Sequence, residues 1–282
     1  MIDVTPKKIL VVTKGHHFDR GAFFEMLEQL QGPGGEFVWT HVEHPAAAAL
    51  FKPEAAAAFD AFLMYDMPGI TFQPLSPPTL TPPPPGFMND FEALLERGMP
   101  FVFLHHAIAG WPTSERYAEI MGGRFLYQPA VLRGSALPDS GYRHFVTHHI
   151  ESVARHAVTA GLEDGFDICD EVYLFEVFES DVVPLMRSQH PFTADGFYSA
   201  HRAVTGQMYS RAGWNHKPGS NLIAWTRREK SSPIVYIQCG DGPTAYGNAG
   251  FRRLLANALT WVVSPEAKDI SPHLSAGTLD AR

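Results

Sequence analysis

The sequence predicts an α/β fold built on a doubly wound, mostly parallel sheet. Three observations carry this. Short apolar runs rich in β-branched and aromatic residues recur through the first 125 residues. Stretches of helical periodicity alternate with them. The same strand-then-helix pattern returns near the end of the chain.

The elements follow in order. Residues 8–13 form a continuous apolar run that suits a buried parallel strand. Asp19 is a candidate N-cap, and Phe23, Phe24, Leu27 and Leu30 follow at helical spacing. Residues 36–42 alternate as a second strand. Two alanine-rich pieces come next, with Pro45 and Pro53 at expected first helical positions. Residues 61–65 make a third strand that ends at Asp66. A helix is expected over 87–97, with Phe91, Leu94 and Leu95 on one stripe and Gly98 as its stop. Residues 100–104 make a fourth strand, ending at His105 and His106.

Between the third strand and that helix lie Pro68, Pro74, Pro77, Pro78 and Pro82 to Pro85. This density predicts a polyproline-like loop over 68–86 without sheet or helix. It reads as a lid, an oligomer contact or a stiff spacer. From about 123 to 190 the patterns are short and strand-like, which predicts an additional β-rich region. Residues 234–237 return to a buried strand that leads into Cys239, Gly240 and Asp241. Phe251, Leu254, Leu255, Ala258, Leu259 and Val262 then form a helical stripe. The expected organisation is one domain over 1–263 and a polar tail over 264–282.

Composition narrows the function. Hydrophobic residues make up 45% and charged residues 18%, against a typical ~25% charged. That excludes a disordered chain or a coiled coil. The net charge of −8, without a basic run, argues against nucleic acid as a partner. No stretch has the length and apolarity of a membrane span. The two cysteines, Cys169 and Cys239, cannot build a disulfide framework. A cytoplasmic protein with a small-molecule partner, and a homo-oligomer, are the expectations.

Open parallel sheets bind ligands beyond the carboxyl ends of their strands. Here those exits carry Lys14-Gly15-His16-His17, Asp66, His105-His106, and Cys239-Gly240-Asp241. Turns favour Asn, Asp, Gly and Ser, so histidine pairs at two exits point to a shared site. Neighbouring residues on a strand face opposite ways, so His105 and His106 would both reach it only from a turn. Each pair also reads as hydrogen-bonded structural histidine. Residues 142–156 hold His144, His148, His149 and His156. On a regular strand His144 and His148 would share a face and, with Asp170 and Glu171, could ligate zinc. A solvated histidine-rich loop reads the segment equally well. No Gly-x-Ser-x-Gly elbow or P-loop is present. Cys239 reads as an inert core residue.

Several pieces together resemble the ThuA-like (trehalose-utilisation) family of the class I glutamine-amidotransferase-like superfamily, over about residues 9–263. They are Thr13 to His17, Phe101 to His106, Gly122 to Phe125, His156 to Leu162, Asp170 to Tyr173, and Ile234 to Gly240 with Tyr246 and Trp261. The resemblance implies a flavodoxin-like sheet and a role in carbohydrate metabolism. It implies that His105-His106 stands where amidotransferases carry a nucleophilic cysteine, so glutaminase chemistry is not expected. It also implies metal binding in some members. His105 or His106, His156, Asp170, Glu171 and Tyr173 match the family pattern. Two positions depart: His156 is followed by Ala157, not proline, and Gly240 by Asp241, not histidine.

The expected function is an enzyme acting on a sugar or another polyhydroxylated substrate, by hydrolysis or isomerisation. The expected catalytic residues are His105, His106, Glu171 and Asp241. His16, His17, Asp66, Trp111, Tyr173, Tyr246 and Asn248 are the expected substrate contacts. A divalent metal such as zinc would be held by His105, His106, His156 and Asp170. The alternatives are a non-catalytic sugar-binding protein and an amidotransferase-like hydrolase using Cys239.

Overall fold

The computed structural model describes residues 5–30 and 37–268. In chain order the principal elements are β1 (Lys7–Lys14), α1 (Arg20–Glu28), β2 (Phe37–Glu43), β3 (Ala61–Asp66), α2 (Phe87–Arg97), β4 (Phe101–Leu104) and α3 (Glu115–Met121). There follow β5 (Gly141–Ser152), β6 (Phe166–Leu174), β7 (Val183–Ser188), β8 (Tyr198–Ser199), α4 (Ala200–Val204), β9 (Leu222–Glu229), β10 (Ser232–Ile237), α5 (Pro243–Tyr246) and α6 (Ala249–Val262).

The strands join one large sheet in the order β6-β5-β7-β9-β10-β4-β3-β1-β2, with β8 paired to β5. The five strands β2, β1, β3, β4 and β10 are mutually parallel. This is the doubly wound α/β core that the sequence predicts. The β-rich second half continues the same sheet through antiparallel pairs, starting from β9 against β10.

Burial explains the core strands. Every residue of β3, β4 and β10 is buried. Side chains alternate between faces along a strand. Val11, Leu63, Leu104 and Val235 pack with Phe23 of α1 and Leu254 and Leu255 of α6 on one face. Leu10, Phe62, Phe103 and Tyr236 pack with Phe91 of α2 and Ile120 of α3 on the other. Helices on both faces are what a parallel sheet requires, since neither face can meet water. Asp19 caps α1 by accepting from the Ala22 amide, and Gly98 ends α2 in a left-handed conformation (φ 80°).

The proline-rich segment differs from expectation. Ile70–Gln73 and Ser76–Leu80 pair as an antiparallel hairpin, not a polyproline-like loop. The ladder pairs Ile70 with Leu80, Thr71 with Thr79 and Gln73 with Ser76, so Pro77 and Pro78 are not among its paired residues. A two-stranded ribbon is all edge, where a missing N–H costs no ladder bond. Of the alanine-rich pieces, Pro53 opens a short helix at its first position, whereas Pro45 precedes the 3₁₀ turn Ala46–Phe51. In the expected tail, Pro265–Lys268 is helical, and 269–282 lie outside the described residues. No helix among the described residues is long and apolar enough to cross a membrane.

Candidate functional site

Strand order places β6 four strands from β10, about 19 Å apart in a flat sheet. Yet the Tyr173 amide of β6 donates to Gln238 Oε1, just past β10, at 2.9 Å. The antiparallel half therefore curls back over the carboxyl edge of the parallel half. That curl brings Asp170, Glu171 and Tyr173 to the residues following β4 and β10.

His105 is the first residue after β4 and opens a 3₁₀ turn. Its backbone is left-handed (φ 46°), which is costly for a side chain larger than glycine. Two bonds hold it there. Its Nδ1–H donates to the Gln238 carbonyl at 2.7 Å, and its own carbonyl accepts from the Tyr236 hydroxyl at 2.9 Å. A carbonyl can only accept, so Nδ1 carries the proton and Nε2 is left for the site. The left-handed turn also separates the pair. His105 points to the carboxylates, while the His106 ring stacks on His16 at 4.7 Å and its Nε2–H donates to the Tyr65 carbonyl at 3.3 Å.

Around His105 Nε2 lie the Tyr173 hydroxyl at 2.7 Å, Glu171 Oε2 at 3.2 Å and Asp241 Oδ1 at 3.5 Å. The other Glu171 oxygen meets His144 Nε2 at 3.1 Å. Burial disfavours a charged His105, but Asp241 and Glu171 outweigh it and hold the imidazole well above its ordinary 6.5. Burial likewise works against the Glu171 carboxylate, yet bonds from His105 and His144 bring it down to about 2. Burial dominates at Asp170, raised to about 6. Burial, reinforced by neighbouring imidazoles, lowers both His16 and His106.

Asp170 is buried against the loop that follows β10. It accepts from the Gly240 amide at 2.7 Å and the Asp241 amide at 3.2 Å, and so fixes the loop that presents Asp241. Tyr65 and Tyr246 share a hydroxyl contact of 2.7 Å, and Tyr65 donates to the Gly240 carbonyl, supporting that loop from below.

Above this group is a pocket of about 280 Å³. Its polar lining is His16, His17, His144 and Glu171. Tyr173, Phe125, Tyr127, Tyr142 and Phe72 supply rings, and α4 with Met208 supplies the remaining wall. His105 is fully buried directly behind Tyr173 and Glu171, which face the pocket.

The structure thus brings together His105, Glu171, Asp241, Tyr173 and His16, with His17 at the wall and His106 behind. Other expected residues fall elsewhere. Asp66 is buried beside His44 (3.0 Å), and the Trp111 ring packs on Phe87 and His44. Asn248 caps α6 by accepting from the Phe251 amide. His156 caps the turn Ala157–Thr159 by accepting from the Val158 amide, with its ring on Trp261. It is not near His105, so the expected four-ligand set does not assemble. The only cluster of three metal-ligating groups among the described residues is His105, Glu171 and Asp241.

His144 and His148 do not share a face. A bulge between Arg143 and Val146, with Phe145 at φ 55°, breaks the alternation. It turns His144 to Glu171, while His148 bonds Ser188 at 2.5 Å. His144 thus meets Glu171, one of the carboxylates the sequence pairs it with, but without His148. Phe125, Tyr127, Tyr142 and α4 carried no signal as pocket residues. Cys239 is buried with its thiol pushed up by burial, which argues against a thiolate nucleophile.

Fold and site together define an α/β protein with a buried histidine–carboxylate–tyrosine group under an aromatic pocket. The chain belongs to the ThuA family, described as trehalose utilisation, whose profile matches residues 8–262. That membership supports a carbohydrate-related role. Similar folds occur in a ThuA-like protein from Parabacteroides merdae ATCC 43184 (15% identity, TM-score 0.65, covering 92% of this chain and 91% of that one). Another is a ThuA-like protein from Bacteroides uniformis ATCC 8492 (18%, 0.56, 92% and 93%). A third, described as a cytoplasmic protein, is from Salmonella typhimurium LT2 (10%, 0.54, 90% and 99%). At these identities the likeness concerns the fold alone. No curated protein matches the chain.

Proposed function

We propose that this protein is an enzyme that transfers a proton to or from a sugar or similar polyhydroxylated substrate, in hydrolysis or isomerisation. One observation carries the reading: His105 Nε2, fully buried, meets Tyr173, Glu171 and Asp241 within 3.5 Å at the floor of the pocket.

The roles follow from protonation. Against the burial that disfavours charge, the two carboxylates favour the imidazolium form of His105. Burial first, then Glu171, keeps the Tyr173 phenol protonated. Tyr173 faces the pocket and donates its O–H proton to a glycosidic oxygen as that oxygen's bond to the sugar carbon breaks and water adds there, or to a carbonyl oxygen as the neighbouring carbon gives up its proton to solvent. The imidazolium passes its Nε2 proton to the Tyr173 oxygen in the same step, leaving neutral imidazole. The reverse sequence returns both protons. Glu171 stays a carboxylate, accepting from a substrate hydroxyl and stabilising the imidazolium. His16, whose Nδ1 bonds the His17 carbonyl, offers its Nε2 to a further hydroxyl.

With the Nε2 proton of His105 released, the donor chemistry also fits a divalent ion such as zinc. His105 Nε2, Glu171 and Asp241 lie within 4.8 Å of one another. The Nδ1–H bond to a backbone carbonyl is the arrangement that orients metal-binding imidazoles. Such an ion supplies Lewis acidity or an activated water. A cytoplasmic location accords with the description of the Salmonella neighbour.

The test is a panel of disaccharides, glycosides and keto-sugars incubated in D₂O with wild type, Tyr173→Phe and His105→Asn. New reducing ends report hydrolysis, and deuterium at carbon reports isomerisation. Turnover abolished in both variants supports the proposal. Binding without turnover by any member favours a sugar-binding protein. Turnover unaffected by both substitutions overturns the assignment.

A further inference from the structure

The pocket is chemically two-sided in a way a lone sugar does not use. Among its polar groups, His144 and Glu171 meet at 3.1 Å, and His16 and His17 complete the polar lining. From Tyr173 on the floor an unbroken run of rings leads outward: Phe125 at 4.7 Å, then Tyr127 at 5.1 Å, then Phe72 at 5.1 Å. Phe72 stands on the proline-rich hairpin, 41% exposed at the mouth. Ala203 and Val204 of α4, and Met208 beyond it, supply further wall.

The hydroxyls of Tyr127 on this run and of Tyr142, another ring of the lining, are engaged by the protein. Tyr127 donates to the Met67 sulfur, and Tyr142 accepts from the Tyr209 amide at 2.9 Å. A sugar ring stacked on an aromatic face still directs hydroxyls outward around its edge. Along this arm they would meet carbon and a thioether, and a hydroxyl desolvated without a partner opposes binding. An apolar group loses nothing there and gains contact with several rings.

Resting on the sugar-directed reading of the floor, we propose that the ligand is amphipathic. A polyhydroxylated head sits at Glu171, His144 and His16, and an apolar arm, aromatic or alkyl, lies along Phe125, Tyr127 and Phe72.

The experiment titrates wild-type protein calorimetrically with methyl, phenyl and n-hexyl glycosides of glucose, galactose and mannose, and with phenol and hexanol alone. For at least one sugar, the phenyl or hexyl glycoside should bind about tenfold or more tighter than the methyl glycoside. Val204→Asp should bring that ratio near one. Met208→Lys, at an exposed position that tolerates charge, should also reduce it if Val204→Asp fails to fold. Methyl glycosides binding as tightly as phenyl and hexyl overturn the apolar arm and leave the sugar reading standing. Phenol or hexanol binding as tightly as the glycosides overturns the sugar head. Failure of every glycoside to bind overturns both.

Discussion

The Nε2 atom of His105 lies 2.7 Å from the Tyr173 hydroxyl, and the two rings stack with centroids 4.6 Å apart. One residue follows a parallel core strand and the other comes from the far antiparallel edge of the sheet. Their contact closes the site floor and couples a buried imidazole to a hydroxyl that the pocket can reach.

Removing either end of that contact should stop turnover without unfolding the protein. Tyr173→Phe and His105→Asn are expected to lower kcat/KM by about 10²–10⁴. Asparagine is chosen at 105 because it tolerates the left-handed backbone found there. Steady-state kinetics alongside thermal unfolding checks both points. Full activity in Tyr173→Phe would place the proton transfer elsewhere.

The pH dependence of stability should carry the signature of Glu171. Its folded value of about 2 lies below the ordinary 4.5, so its contribution is complete above 4.5 and is lost as pH falls towards 2. His105 runs the other way. Its folded value is raised, so its contribution is present below 6.5 and is lost as pH rises through the higher folded value. Glu171→Gln should flatten both flanks of a plot of unfolding midpoint against pH. The His105 ring protons should also titrate at lower pH in that variant. A wild-type His105 already neutral at pH 7 would contradict the assignment.

Asp170 acts through the 240–241 loop. Asp170→Asn keeps one acceptor and should lose one of the two amide bonds to Gly240 and Asp241. Hydrogen exchange at those amides is expected to speed up. Activity should fall about tenfold to a hundredfold, as Asp241 drifts from His105. Unchanged exchange at both amides would refute the positioning role.

His156 separates cap from site. His156→Ala should cost about 1 kcal/mol of stability through the lost cap. It should leave kcat unchanged, because the ring packs on Trp261 and does not meet His105. A selective loss of activity would return His156 to the site.

Zinc gives a separate readout. At saturating zinc the wild type is expected to gain about 2–3 kcal/mol of stability, and Asp241→Ala to gain much less. Equal response of the two proteins would remove the His105, Glu171 and Asp241 group as a metal centre.

Much of this was legible in the chain. The four early strand runs, the Phe91 stripe and the Phe251 to Val262 stripe all report burial against a neighbour, which periodicity records directly. His105, Glu171 and Asp241 were visible because titratable residues at strand exits are chemically conspicuous. His156, Asn248 and Trp111 were misplaced for a different reason. A capping side chain, a ring over a turn and a substrate contact use the same residue types. The hairpin was missed because proline density forbids a central strand but not an isolated ribbon.

The sequence by itself determined the doubly wound core, its strand exits and the residue types available there, because these rest on local periodicity and turn chemistry. Only the tertiary structure decided which of those residues meet. The curl of the antiparallel half delivers Glu171 and Tyr173 to His105. The bulge at Phe145 turns His144 to Glu171, and the left-handed turn at His105 separates it from His106. Each depends on contacts between residues distant in the chain, and a one-residue shift in any of them would turn a different side chain into the site.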